Sequence, residues 1–112
     1  DMESESKAAV AGGVTTVMDM PNTIPATTGA KEIKEKLALA LNRSSANIHF
    51  HIGATNSNHS ILAQIASQGC PEEGLKAEDI AGIKVFMGSS TGNMLVRQDV
   101  SPRRDCLIYV LM

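Results

Sequence analysis

Two periods of apolar residues alternate along this chain, and their succession predicts its elements. Residues 2–12 are helix formers with early acidic positions and the apolar set Ala8, Ala9 and Val10, ended by Gly12 and Gly13. Residues 14–20 follow as a β-branched strand, closed by Pro21 and Pro25, neither of which can extend a ladder. Over residues 29–42 the spacing is helical: Ile33, Leu37, Ala38, Ala40 and Leu41 form a stripe, with Lys31, Glu32, Lys34, Glu35 and Lys36 largely on the opposite, solvated face. Ile48, Phe50 and Ile52 then alternate with His49 and His51, which predicts a second strand ending in a polar loop over 53–58. A shorter helix over 60–68 turns Ile61, Leu62, Ile65 and Ala66 to one side. After a connector at 69–74, the chain enters a third apolar run, Ile83, Val85, Phe86 and Met87, read as a short buried strand.

Strand and helix in alternation imply an α/β fold with a parallel sheet and right-handed crossovers. The three polar loops, at Asn22, at Asn56 and after Met87, all follow strand carboxyl ends. In parallel α/β folds those ends gather on one side, where sites are built. Pro, Gly, Asn and Ser also make ordinary turns, so any one loop alone carries little weight.

Composition narrows the class. A chain of 112 residues with 43% hydrophobic content has room for one small domain or a piece of one. The net charge of -2 supplies no basic field, and Lys and Arg lack aromatic interleaving, so nucleic-acid binding is set aside. Cys70 and Cys106 show no pairing pattern, which fits a reducing, cytoplasmic setting, and the apolar run at 106–112 is too short to span a bilayer. No membrane partner is expected. The opening Asp1-Met2-Glu3 already lies within a helix pattern, an expectation of further sequence upstream.

Several residues have side chains suited to chemistry. Lys84 stands inside the third apolar run, and an ammonium there is costly unless it is paired, solvated at a strand end, or chemically modified. His49 and His51 point to one strand face at a spacing that suits a metal, although packing or exposure explains them as well. His59 opens a helix and is expected at the surface, and Asp19 reads as a structural strand-end carboxylate that could also face a pocket. Ser89, Ser90, Thr91, Gly92 and Asn93 suit either a gating loop or a static turn.

Gly12-Gly13-Val14-Thr15-Thr16, Met20-Pro21-Asn22-Thr23, Gly53-Ala54-Thr55-Asn56 and the whole stretch 82–95 resemble, in order, successive blocks of dihydroorotases. The first block is shared widely among cyclic amidohydrolases; the second and fourth are specific to the dihydroorotase branch. The resemblance covers residues 1–96, so these are expected to form part of the catalytic barrel and 97–112 a divergent or truncated tail. It implies a partial (β/α)8 TIM-type barrel, roughly three strand-helix units of a fold that needs about 250 residues. It also implies a zinc enzyme of pyrimidine synthesis interconverting N-carbamoyl-L-aspartate and L-dihydroorotate, with a homo-oligomer of the full-length parent among the expected partners.

By position, Lys84 matches the lysine that many members carboxylate to bridge a pair of zinc ions, and Asn22 matches the asparagine that contacts the substrate carboxylate. Burial would lower a lysine's pKa and free its amine to attack carbon dioxide. Some dihydroorotases use an aspartate elsewhere instead. The family's His-x-His pair lies upstream of Asp1, so His49 and His51 are not its counterparts. No catalytic residue of the family falls within this stretch, and the chain alone is expected to be inactive. Three alternatives stay open: another cyclic amidohydrolase of the hydantoinase or allantoinase type, a catalytically silent dihydroorotase-like subunit, and an independent flavodoxin-like binding domain.

Overall fold

A computed structural model of the chain describes residues 1–87 and 94–96, so the expectations for 88–93 and 97–112, including the loop Ser89 to Asn93 and the tail, lie outside the described residues. The first helix, α1, spans Met2–Ala11. The Asp1 carboxylate accepts the Ser4 N–H at 2.9 Å, satisfying one of the donors that every helix start exposes. One turn on, a hydrogen bond from Lys7 and its charge hold the Glu3 carboxyl below its ordinary pKa. The helix stops at Gly12, and Gly13 takes φ +86°, a left-handed conformation that suits glycine.

Strand β1 spans Thr16–Asp19, helix α2 Ala30–Leu41, strand β2 Asn47–Gly53 and helix α3 His59–Gln68. Two short 3-10 turns, Pro71–Glu73 and Ala77–Asp79, lead into strand β3, Ile80–Lys84. The strands are parallel in the order β1-β2-β3. The chain is thus α/β, as the alternation implies.

The third strand sits earlier than its apolar run suggests. Cys70 and Leu75 exchange backbone hydrogen bonds at 2.7 and 3.0 Å, and the Asp79 carboxylate accepts the Lys76 N–H at 2.7 Å. These bonds close the connector and deliver the chain to the sheet at Ile80. Register then places Gly82 opposite His51 and Lys84 opposite Gly53, where β2 ends. Past that point no β2 backbone remains to pair, and Phe86 bridges to Leu95 instead. Lys84 is therefore the last strand residue, half-buried, rather than an interior one.

One sheet face carries the core. Phe50 and Ile52 pack with Ile33 of α2, Leu62 and Ile65 of α3 and Leu75, and Phe50, Ile33 and Ile52 are fully buried. At about 1.5–3 kcal/mol per buried aliphatic or aromatic side chain, this cluster is the main force docking both helices onto the sheet. Several helix expectations need correction: Ala38 of the α2 stripe and Ile61 and Ala66 of the α3 stripe are exposed rather than on the packed faces. Lys36 is not on a solvated face: its side chain is 12% exposed, ion-paired with Asp19, with Nζ 5.7 Å from the Phe50 ring centroid. Leu41, counted in the apolar stripe, is exposed, because it ends the helix beyond the sheet's reach.

The other sheet face carries Met18, His49, His51, Gly82 and Lys84. Among the described residues no helix covers it, and Met18 is 60% exposed. No helix of the described residues is long and apolar enough to cross a membrane.

Candidate functional site at the strand carboxyl ends

All three strands end on one edge, and the loops there are bonded to one another. Pro21 is fully buried at the end of β1, which leaves the next side chain, Asn22, in solvent. Fully buried Thr27 folds this loop back: its N–H donates to the Pro21 carbonyl at 2.9 Å, and its own carbonyl accepts the Gly53 N–H at 2.8 Å. Thr23 Oγ1 donates to the Pro25 carbonyl at 2.8 Å, tightening the turn that follows Asn22. The loop that carries Asn22 is thereby fixed to the end of β2.

Lys84 meets the same junction from the other side. Its carbonyl accepts the Ala54 N–H at 2.8 Å, and its Nζ lies 5.4 Å from the Phe86 ring centroid. Its register partner Gly53 has no side chain, and that space is filled by Met94 and Pro21; Met94 is buried. The Asn56 side-chain amide donates to the Leu95 carbonyl at 3.1 Å, drawing the segment after Met94 onto the second loop. Asn22, in the loop after β1, and Lys84, the last residue of β3, thus share one end of the sheet, with β2 lying between the two strands that carry them.

The remaining sequence candidates separate. His49 is exposed, whereas His51 is half-buried with Nδ1 3.2 Å from the Asp19 carbonyl, which orients its ring over Gly82. His59 begins α3 and is exposed, as its position predicts. The Asp19 side chain has a partner the sequence did not show, Lys36, and it lies toward the helices rather than on the open face. Among the described residues no three His, Cys, Asp or Glu side chains converge to hold a metal. A metal site is therefore not complete within them. Lys84 reaches the open face beside a glycine, and no carboxylate pairs with it among the described residues.

Sequence reasoning missed Asn58, Thr27 and Met94, which assemble this edge. Asn58 stands just before an apolar-periodic helix, an ordinary N-cap signal. Its side chain, however, makes no cap bond to α3 and reaches back into the loops instead.

No protein-family model matches the chain. It is 34% identical over 94 residues to a dihydroorotase of Methanosarcina mazei, covering 84% of this chain and 18% of that protein. An allantoinase of Arabidopsis thaliana is 35% identical over 85 residues, 75% of this chain and 15% of that protein. A dihydroorotase of Sulfurihydrogenibium is 81% identical over a run of 26 residues, 23% of this chain and 6% of that protein. The chain therefore spans less than a fifth of the length of these relatives. Similarity of this extent to dihydroorotases of diverse organisms, with an allantoinase beside them, makes the chain a dihydroorotase-like segment of the cyclic amidohydrolase family.

Proposed function

We propose that this chain contributes consecutive strand-helix units to a metal-dependent (β/α)8 barrel, and that the protein it belongs to is a dihydroorotase. In this reading it interconverts N-carbamoyl-L-aspartate and L-dihydroorotate for pyrimidine synthesis. The observation that carries the reading is the placement of Lys84 at the carboxyl end of a parallel strand, on the face that no helix of the described residues covers. A barrel needs that arrangement, with helices outside, an inner sheet face, and its site at the strand carboxyl ends.

In this proposal a bond forms from Lys84 Nζ to the carbon of carbon dioxide, one C=O bond of carbon dioxide opens to a carboxylate oxygen, and the nitrogen gives up its displaced protons to water. The product carries negative charge on two oxygens, so it can accept a pair of zinc ions that an ammonium would repel. Zinc held there, with Lys84 as one of its ligands, would supply hydroxide near neutral pH and polarise the ring amide. The Asn22 amide, exposed above the same edge, offers N–H donors to the substrate carboxylate. The other metal ligands and the acid-base residues come from outside the described residues, so the isolated chain is expected to be inactive.

The test is Lys84→Ala in the full-length enzyme. Bound zinc and dihydroorotate turnover are both expected to be lost, and short carboxylic acids are expected to restore part of the activity by replacing the missing oxygens. Full activity and metal content in the variant refute the role of Lys84. The allantoinase similarity favours one competing reading, allantoin hydrolysis. The 81% match over 26 residues to a dihydroorotase weighs against it. Assaying both substrates separates the two, and turnover of neither supports a non-catalytic dihydroorotase-like subunit.

A further inference from the structure

Asn58 is 6% exposed, and its side chain bonds three backbone groups, two at or just past the end of β2 and one in the Asn22 loop. Its Oδ1 accepts the Thr55 N–H at 2.8 Å, and its Nδ2 donates to the Gly53 carbonyl at 2.9 Å and to the Thr28 carbonyl at 2.9 Å. A residue that only shaped its own turn would need the Thr55 bond alone. The two donor bonds go elsewhere, one to the end of β2 and one to the far end of the loop that carries Asn22. A neutral amide suits this post because it offers an acceptor and two N–H donors on one small planar group.

The consequence for the loop is that both its ends are fixed to Gly53. The Pro21 end is held through Thr27, which bonds to the Gly53 N–H, and the Thr28 end is held through Asn58, which bonds to the Gly53 carbonyl. Gly53 is in turn the register partner of Lys84. We propose that Asn58 is a positioning residue that holds the Asn22 loop in place relative to the strand end carrying Lys84, and so sets the grip on the substrate carboxylate. This inference rests on the functional reading above. It separates two effects: Lys84 is held by the β2 ladder independently of Asn58, so metal retention does not depend on the clasp, whereas substrate binding does.

Asn58→Asp in the full-length enzyme is the test, because a carboxylate keeps the shape and the Thr55 bond but faces two carbonyl oxygens with no proton to donate. The expected result is a KM for dihydroorotate raised about tenfold, with kcat changed by no more than about twofold and bound zinc unchanged. Hydrogen exchange over residues 20–29 should quicken. Lowering the pH protonates the introduced carboxyl, whose pKa is raised by burial and by the facing carbonyls, and restores one donor. The ratio of variant to wild-type KM should therefore fall as pH falls.

Asn58→Ser, which keeps a single hydroxyl, should lie between the two, and it carries the same measurements if Asn58→Asp does not fold. An unchanged KM, a KM ratio for Asn58→Asp that is independent of pH, or parallel losses of kcat and zinc overturn the proposal; for Asn58→Ser, which has no titrating group, KM, kcat, zinc content and exchange decide. If the wild-type protein turns over no dihydroorotate, the functional reading fails, and exchange alone decides the clasp: faster exchange over 20–29 supports it, and unchanged exchange overturns it.

Discussion

Gly53 is the point where the Asn22 loop, the end of β2 and Met94 meet, and a side chain there has no room. A Cβ there would overlap the Cε methyl of Met94 and stand 3.2 Å from Pro21 Cβ. The methionine end can swing away, but the buried proline ring cannot. Gly53→Ala is expected to destabilise the protein by about 1–3 kcal/mol, read as a lower denaturant midpoint. Gly82→Ala is the control: its Cβ would lie 3.6 Å from His51 Cδ2, an ordinary contact, and a change of no more than about 1 kcal/mol is expected. In the sequence both glycines look alike, as turn and strand residues. Only the packing of Met94 and Pro21 tells them apart. Lys84 shows the same limit: its awkwardness in an apolar run was legible and a strand end was among the readings it allowed, but only the register with β2 shows that β3 ends there.

At the scale of elements, α2 was the most legible part of the chain, since its apolar spacing follows directly from helix geometry. Ile33 is fully buried against the sheet and Leu39 is half exposed on the outer side. In the full-length protein, Ile33→Ala is expected to cost about 2–5 kcal/mol and Leu39→Ala within about 0.5 kcal/mol, a contrast that equilibrium denaturation resolves. Lys36 escaped the pattern because its partner Asp19 lies on another element. A charge run read along one helix cannot show which of its members folds under to meet a strand. The bounds of β3 escaped for a related reason: apolar character continues to Met87, but a strand lasts only as long as its neighbour offers backbone to pair with, and β2 ends at Gly53.

For the whole molecule, the sheet is covered on one face and open on the other among the described residues, and β1 and β3 are its two edges. Such a sheet buries apolar surface on one side only and leaves a row of backbone groups unpaired at each edge. The isolated chain of 112 residues is therefore expected to bind a hydrophobic dye and to unfold without a cooperative thermal transition. A sharp transition with no dye binding would instead favour an independent binding domain.

By itself the sequence determined the alternation of strand and helix, the parallel sheet, and the polar loops at the strand carboxyl ends, because periodicity and turn chemistry are local properties. It also carried the motifs that resemble dihydroorotases. Tertiary structure alone decided that Lys84 closes β3 on the open face, that Lys36 turns inward to Asp19, and that Asn58 and Gly53 join the loops. Each of those depends on a partner distant in the chain, brought close only when the helices dock on the sheet, and no local pattern records such a distance.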